Sequence, residues 1–152
     1  MSFSSVPVIS VSNVSILQES KMILRDVSFS IRKSEFVYMI GKTGSGKSSL
    51  LKTLYGDLPL RAGDVEVAGF NLKKIKSSKL PYLRRKIGII FQDFQLLTDR
   101  NITDNLLFVL KATGWSSTAK IRQRIAEVLI QVGLGSVGNK YPHQLSGGEQ
   151  QR

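Results

Sequence analysis

Residues Gly41-Lys42-Thr43-Gly44-Ser45-Gly46-Lys47-Ser48 fit the pattern Gly-x-x-x-x-Gly-Lys-Ser/Thr without a mismatch, and no other feature narrows the fold as far. The pattern works only as the turn between a strand and a helix, because backbone amides must converge on one anion while a helix N-terminus points at it. Both neighbours read accordingly. Glu35 to Ile40 is a short apolar, aromatic-rich run that predicts a buried strand. Leu50, Leu51 and Leu54 then follow at helical spacing, with Gly56 as the stop. In such a loop the amides of Gly44, Ser45, Gly46 and Lys47 would cradle phosphates, the Lys47 ammonium would meet β- and γ-oxygens, and Ser48 would hold Mg2+. The plain alternative, a flexible glycine turn, does not call for a strand and a helix on either side.

A second phosphate-reading stretch is Leu145-Ser146-Gly147-Gly148-Glu149-Gln150-Gln151-Arg152. Two glycines after a serine let the backbone approach an anion closely, and a helix expected from Glu149-Gln150-Gln151 would aim its dipole at the same point. Alone, Ser-Gly-Gly is usually an ordinary turn. The loop upstream gives it weight.

Between them the periodicity changes once. Val8, Ser10 and Ser12 alternate with Ile9 and Val11, and Val27 to Ile31 alternates cleanly, so both predict strands. Val65-Glu66-Val67, bracketed by Gly63 and Gly69, predicts another, and Lys86 to Phe91 predicts a buried strand ending at Gln92. Beyond Gln92 the period becomes helical. Thr103 is expected to cap a helix carrying Leu106, Leu107 and Leu110 and ending at Gly114. A longer helix is expected from Ser116 or Ser117, with the stripe Ile121, Ile125, Val128, Leu129 and Val132 closed by Gly133. No repeat, heptad series or low-complexity segment interrupts this order.

Composition sets outer bounds. A length of 152 residues with 41% hydrophobic content suits one domain. No apolar run approaches the roughly 18 residues of a membrane span, and Met1 to Ser10 lacks the basic start of a secretory leader. With no cysteine, disulfide and thiolate chemistry are excluded. The net charge is +11, and Lys73, Lys74, Lys76, Lys79, Arg84, Arg85 and Lys86 fall in a stretch without an acid between Val67 and Gln92. Charge alone identifies no partner, so a solvated loop is the preferred reading over a lipid- or nucleic-acid-binding stripe.

The order and spacing of Gly41 to Ser48, Phe91-Gln92 and Leu145 to Arg152 resemble the nucleotide-binding domain of ABC-type ATPases, over the whole chain. Leu80 to Arg100, with Phe91-Gln92-Asp93-Phe94, Leu96-Leu97 and Asp99-Arg100, is similar to the FtsE family of bacterial cell-division ATPases. The resemblance implies an α/β fold of the P-loop NTPase, ABC type: a mixed sheet core with a helical insert. It divides the chain into 1–93 (part of the ATP-binding core), 94–144 (helical subdomain) and 145–152 (signature).

It also implies ATP and Mg2+ as cofactors. Gly41, Lys42, Thr43, Gly44, Ser45, Gly46, Lys47, Ser48 and Ser49 would hold the phosphates, Ser48 and Gln92 the metal, and Lys47 and Gln92 would serve catalysis. Ser146, Gly147, Gly148 and Gln150 would touch ATP bound to the partner protomer of a head-to-tail homodimer. The expected partner is an integral membrane subunit resembling FtsX, with the protein cytoplasmic and peripheral on the inner face of the plasma membrane and no nucleic acid involved. Lipoprotein-release and macrolide exporters share the signature, and DNA-maintenance or ribosome-associated ABC proteins are the alternatives of another class. The family's catalytic Asp, Glu and His lie beyond the signature. Residues 1–152 alone are therefore expected to fold poorly, to lack turnover, and to be part of a longer chain.

Two departures stand out. No aromatic residue occurs between Phe3 and Phe29, where the family stacks adenine near Leu17-Gln18, and Ser34 stands where a turn glycine is usual. His143 precedes the signature, so it reads as a surface residue rather than the family's switch histidine.

Overall fold

A computed structural model describes residues 6–152. Met1 to Ser5, which include Phe3 and half of the stretch read for a leader, lie outside the described residues. The chain forms two compact units, Met1–Gly88 and Ile89–Arg152.

The first unit is built on an antiparallel sheet of order β2-β1-β3-β4. Strand β1 (Ile9–Gln18) turns through Glu19 and Ser20, both at positive φ, into β2 (Lys21–Ile31). Such a pair matches the right-handed strand twist of a two-residue hairpin. β3 (Ala62–Val67) and β4 (Phe70–Asn71) repeat the device over Ala68-Gly69.

The alternation in β1 is broken on purpose. Val11, Val14 and Ile16 are all buried, which period two forbids, and the register shifts between Val11 and Val14, where Asn13 takes φ 50°. This bulge adds a residue and returns the apolar set to one face. Opposite it, a Cβ on Gly63 would lie 2.5 Å from the Asn13 carbonyl oxygen, at φ +86°, so only glycine fits.

Helix α1 (Lys47–Leu54) packs on this sheet through Leu50 and Leu54, with Leu51 turned outward at 52% exposure. Its far end is tied by Arg84, from the short helix α2 (Leu80–Arg84), whose guanidinium donates to the Tyr55 and Gly56 carbonyls, both at 3.1 Å.

The strands expected at 35–40 and 86–91 do not form. Neither run has a hydrogen-bonded strand neighbour among the described residues, and a strand exists only as part of a ladder. Several of their apolar side chains consequently face outward, with Phe36 80%, Ile40 91% and Ile90 85% exposed, while Ile87 packs against the core.

The second unit is helical. Helix α3 (Ile102–Ala112) is capped by Asn101, whose side chain accepts from the Asp104 amide at 2.8 Å; Thr103 lies inside the helix instead of capping it. The extended backbone of Asn101 is what lets its oxygen turn back onto the first turn. Helix α4 (Thr118–Gln131) begins on Ser117, one of the two expected caps, and its Ile121, Ile125 and Leu129 are buried with Ile102, Leu134, Val137 and Leu145. Helix α5 (Gly147–Gln151) closes the described chain. No helix among the described residues is long and apolar enough to cross a membrane.

Candidate nucleotide-binding loops

The glycine loop of the first unit is shaped by its own sequence. Gly46 is the N-cap of α1 at φ 90°, and a Cβ there would meet Ile23 and Leu24 side chains at 2.8–2.9 Å. Glycine is therefore required both by the backbone and by the sheet beneath it. The Ser45 amide closes a turn on the Lys42 carbonyl at 3.1 Å, so it is engaged within the loop. The amides of Gly44, Gly46, Lys47, Ser48 and Ser49 donate to no backbone or side-chain group among the described residues. These are the open first-turn donors that an anion at a helix N-terminus satisfies.

The Lys47 ammonium folds over the loop, donating to the Gly41 carbonyl at 2.7 Å and the Lys42 carbonyl at 2.8 Å. An ammonium has three donors, so one remains for a phosphate oxygen. Ser48 is exposed with its hydroxyl unpartnered among the described residues. Thr43 and Lys42 are exposed, and Ser49 is half-buried. These residues fit ATP and Mg2+: open amides, a held cation and a free hydroxyl in one loop.

The adenine position gains no aromatic. Leu17 and Gln18 end β1 and pair with Met22 and Lys21 across the hairpin.

In the second unit Gln92 lies in an exposed turn, and its side chain makes no hydrogen bond among the described residues. Phe94 and Gln95, both at positive φ, follow it. The chain is then secured by a residue sequence reasoning missed. Asn105 is 7% exposed. Its Oδ1 accepts from the Leu97 amide at 2.8 Å, and its Nδ2 donates to the carbonyls of Leu97 and Asn101 at 3.0 Å and of Arg100 at 3.3 Å. Asn105 thus pins the segment after Gln92 onto α3. An asparagine amid the apolar periodicity of Leu106, Leu107 and Leu110 was the available signal.

The signature is held by Leu145 in the core and by a capping box. The Ser146 hydroxyl accepts from the Glu149 amide at 3.3 Å, and the Glu149 carboxylate accepts from the Ser146 amide at 2.8 Å and hydroxyl at 2.7 Å. Helix α5 therefore starts at Gly147, two residues before the expected Glu149. Those bonds, the hydroxyl's first, hold the Glu149 carboxyl below the ordinary glutamate range. Gln150 folds back, its amide donating to the Leu145 carbonyl at 3.0 Å. Gly147 and Gly148 are exposed; neither has positive φ, and a Cβ at either would meet nothing within 4 Å.

Within this unit a cavity of about 330 Å³ is lined by residues including Phe91, Phe94, Leu145 and Gln150. The structure thereby gathers the flank of Gln92 and the signature's helix around one space. His143 is exposed, with its ring stacked on Tyr141 at 5.7 Å, as a surface residue should be.

The sequence pattern of the ABC transporter family matches residues 24–152. The chain is 42% identical over 129 residues to the cell division ATP-binding protein FtsE of Streptococcus pneumoniae, an alignment covering 85% of this chain and 56% of that protein. It is 43% identical over 148 residues to the methionine import ATP-binding protein MetN 2 of Bacillus licheniformis, covering 95% of this chain and 43% of the relative. In three dimensions it is similar to the dimeric ATP-binding cassette MJ0796 bound to ADP and Pi in a post-hydrolysis state. There the TM-score is 0.81 at 29% identity, over 93% of this chain and 65% of that one. The chain thus spans little more than half the length of the FtsE relative, and the ABC-type P-loop fold is shared with the solved cassette.

Proposed function

The chain belongs to the ABC transporter family, and from that premise we propose that it is the ATP-binding subunit of a cell-division complex of the FtsE type, working as a head-to-tail dimer. The observation that carries the dimer is at Gly147 and Gly148. Among the described residues nothing occupies the space a side chain would take there, and the backbone needs no positive φ. Alanine would even favour α5 by up to about 1 kcal/mol per site. Two glycines that the fold does not need are explained by close approach of a group from outside, here the phosphate of ATP held by a second copy.

On this reading Gly41 to Ser49 bind the triphosphate, and Lys47 turns its remaining donor to the β- and γ-oxygens while its contacts to Gly41 and Lys42 keep the loop closed. Ser48 and Gln92 are the residues that would hold Mg2+, which screens phosphate charge when bound. Lys47 and Gln92 serve hydrolysis, and Ser146, Gly147, Gly148 and Gln150 complete the partner's site. The core segment 1–93, helical segment 94–144 and signature 145–152 divide the work accordingly. An integral membrane subunit similar to FtsX receives the signal, with the protein peripheral on the inner face of the plasma membrane. Phe108 and Val109, 53% and 56% exposed on α3, supply apolar surface for that contact. Support for the division role is the likeness to FtsE.

The match to MetN 2, which spans more of the chain, favours a second reading as an importer's ATP-binding subunit. Affinity purification from native membranes separates the two by which membrane subunit accompanies the protein.

The dimer is tested with Gly148→Ala. Wild type is expected to dimerise with MgATP in sedimentation velocity, whereas the variant keeps its far-ultraviolet spectrum and binds a fluorescent ATP analogue yet remains monomeric. An ATP-dependent dimer of unchanged strength in the variant would sink the reading.

A further inference from the structure

We infer that Tyr141 and His143 form a platform for the base of the nucleotide held by a second copy of the chain, beside the signature that meets its phosphates. The inference rests on the proposed head-to-tail dimer and deepens it. Both residues stand just before Leu145 and Ser146 in the chain, and the proposed ATP site gives neither of them a task.

The turn that carries the rings is fixed from below. Pro142 and Leu145 are buried. The Gln144 amide donates to the Tyr141 carbonyl at 2.9 Å, and the Gln144 side-chain carbonyl accepts from the Tyr141 amide at 2.8 Å. The Leu145 amide donates to the Pro142 carbonyl at 3.0 Å, and the Ile102 amide to the Lys140 carbonyl at 2.9 Å, which ties the turn to the start of α3 as well. None of these bonds uses the Tyr141 or His143 side chain, and both rings are exposed, Tyr141 at 41%. The turn also lies beside α5 in space: after the Ser146 hydroxyl and amide, the Lys140 charge helps to hold the Glu149 carboxyl low.

The two ring centroids are 5.7 Å apart with planes at 27°, a near-parallel stack. Packing on each other leaves the outer face of each ring open, and a flat base extends such a stack as a third layer. The fold does not need aromatic residues here, since neither side chain enters the core of the second unit. Phe36 and Tyr38, the exposed pair before the phosphate loop, meet edge to face at 81° and offer no common plane to extend. The hairpin under that loop meets Gly46 with the aliphatic Ile23 and Leu24, and no aromatic residue occurs between Phe3 and Phe29. A base given aliphatic surface by the chain that holds it gains most from rings supplied by the partner.

The test uses the triphosphate of 2-aminopurine riboside, whose fluorescence falls when the base stacks on a ring, with Mg2+ and with sedimentation velocity on the same samples. Wild type is expected to dimerise, and the fluorescence to fall only as the dimer forms with rising protein concentration. The double variant Y141A/H143A should keep its far-ultraviolet spectrum and bind the nucleotide as a monomer as tightly as wild type. Its dimer should be about a hundred-fold weaker, about ten-fold for each of two bases or about 1.4 kcal/mol apiece, and should form without the fall in fluorescence. Y141F/H143F, which keeps both ring faces, should restore dimer and quenching together. If wild type stays monomeric, the dimer reading fails and this inference with it. If wild type dimerises with unchanged fluorescence, or Y141A/H143A dimerises and quenches as wild type does, the dimer stands and the platform falls. Quenching already complete in the monomer would put the base on a ring of its own chain and overturn the platform as well.

Discussion

Ser34 occupies the third position of the turn Arg32–Glu35 at φ +68°, a conformation that favours glycine in this turn type. The turn persists because Glu35 closes it from both directions. Its amide donates to the Arg32 carbonyl at 3.3 Å, and its carboxylate accepts from the Arg32 amide at 2.7 Å. The strained position was readable from sequence as a serine where a glycine is usual; the compensating carboxylate was not. Ser34→Gly is expected to raise stability by about 1 kcal/mol, seen as a higher urea midpoint by circular dichroism. The signature offers a second residue-scale test. Glu149 has a depressed folded pKa, so its contribution to the cap is present above the unfolded value and lost as pH falls through the folded one. Ser146→Ala removes the largest cause, and the carboxyl titration of Glu149 followed by NMR should then move to higher pH. The Ser-x-x-Glu spacing of a capping box was in plain view in the sequence, and reading it would have placed the start of α5 correctly.

Among the elements, those stabilised within a few residues were legible. α1 and α4 follow their apolar spacing, and the α4 cap falls on Ser117 as its hydroxyl requires. Asn101, Thr103 and Asp104 are all capping residue types, and only the backbone path into α3 selects Asn101. The bulge at Asn13 is likewise invisible to period counting, because it exists through pairing with β2 and β3. Asn105 joins two segments eight residues apart by filling four hydrogen bonds from one buried side chain. Asn105→Ala should cost about 1–3 kcal/mol by stranding the groups it satisfies. Hydrogen exchange at the Leu97 amide, which loses its acceptor, should accelerate; an unchanged rate would remove Asn105 from its assigned place.

At the scale of the molecule, the outward-facing runs 35–40 and 89–91 decide behaviour. Phe36, Tyr38, Ile40 and Ile90 are each at least 79% exposed, an apolar surface that soluble proteins rarely leave open. The 152-residue chain is expected to bind 1-anilinonaphthalene-8-sulfonate strongly, and Phe36→Ser with Ile40→Ser to reduce the fluorescence. Fluorescence no higher than that of a compact globular control would contradict this exposure. The sequence by itself determined the two glycine loops, the helices that follow them and the family, because glycine spacing, caps and apolar periods act over a few bonds. Tertiary structure alone decided which apolar runs became strands, how β1 keeps one face inward and what Asn105 holds. Those outcomes depend on neighbours distant along the chain: a ladder needs its second strand, and a buried amide is defined by what packs beside it.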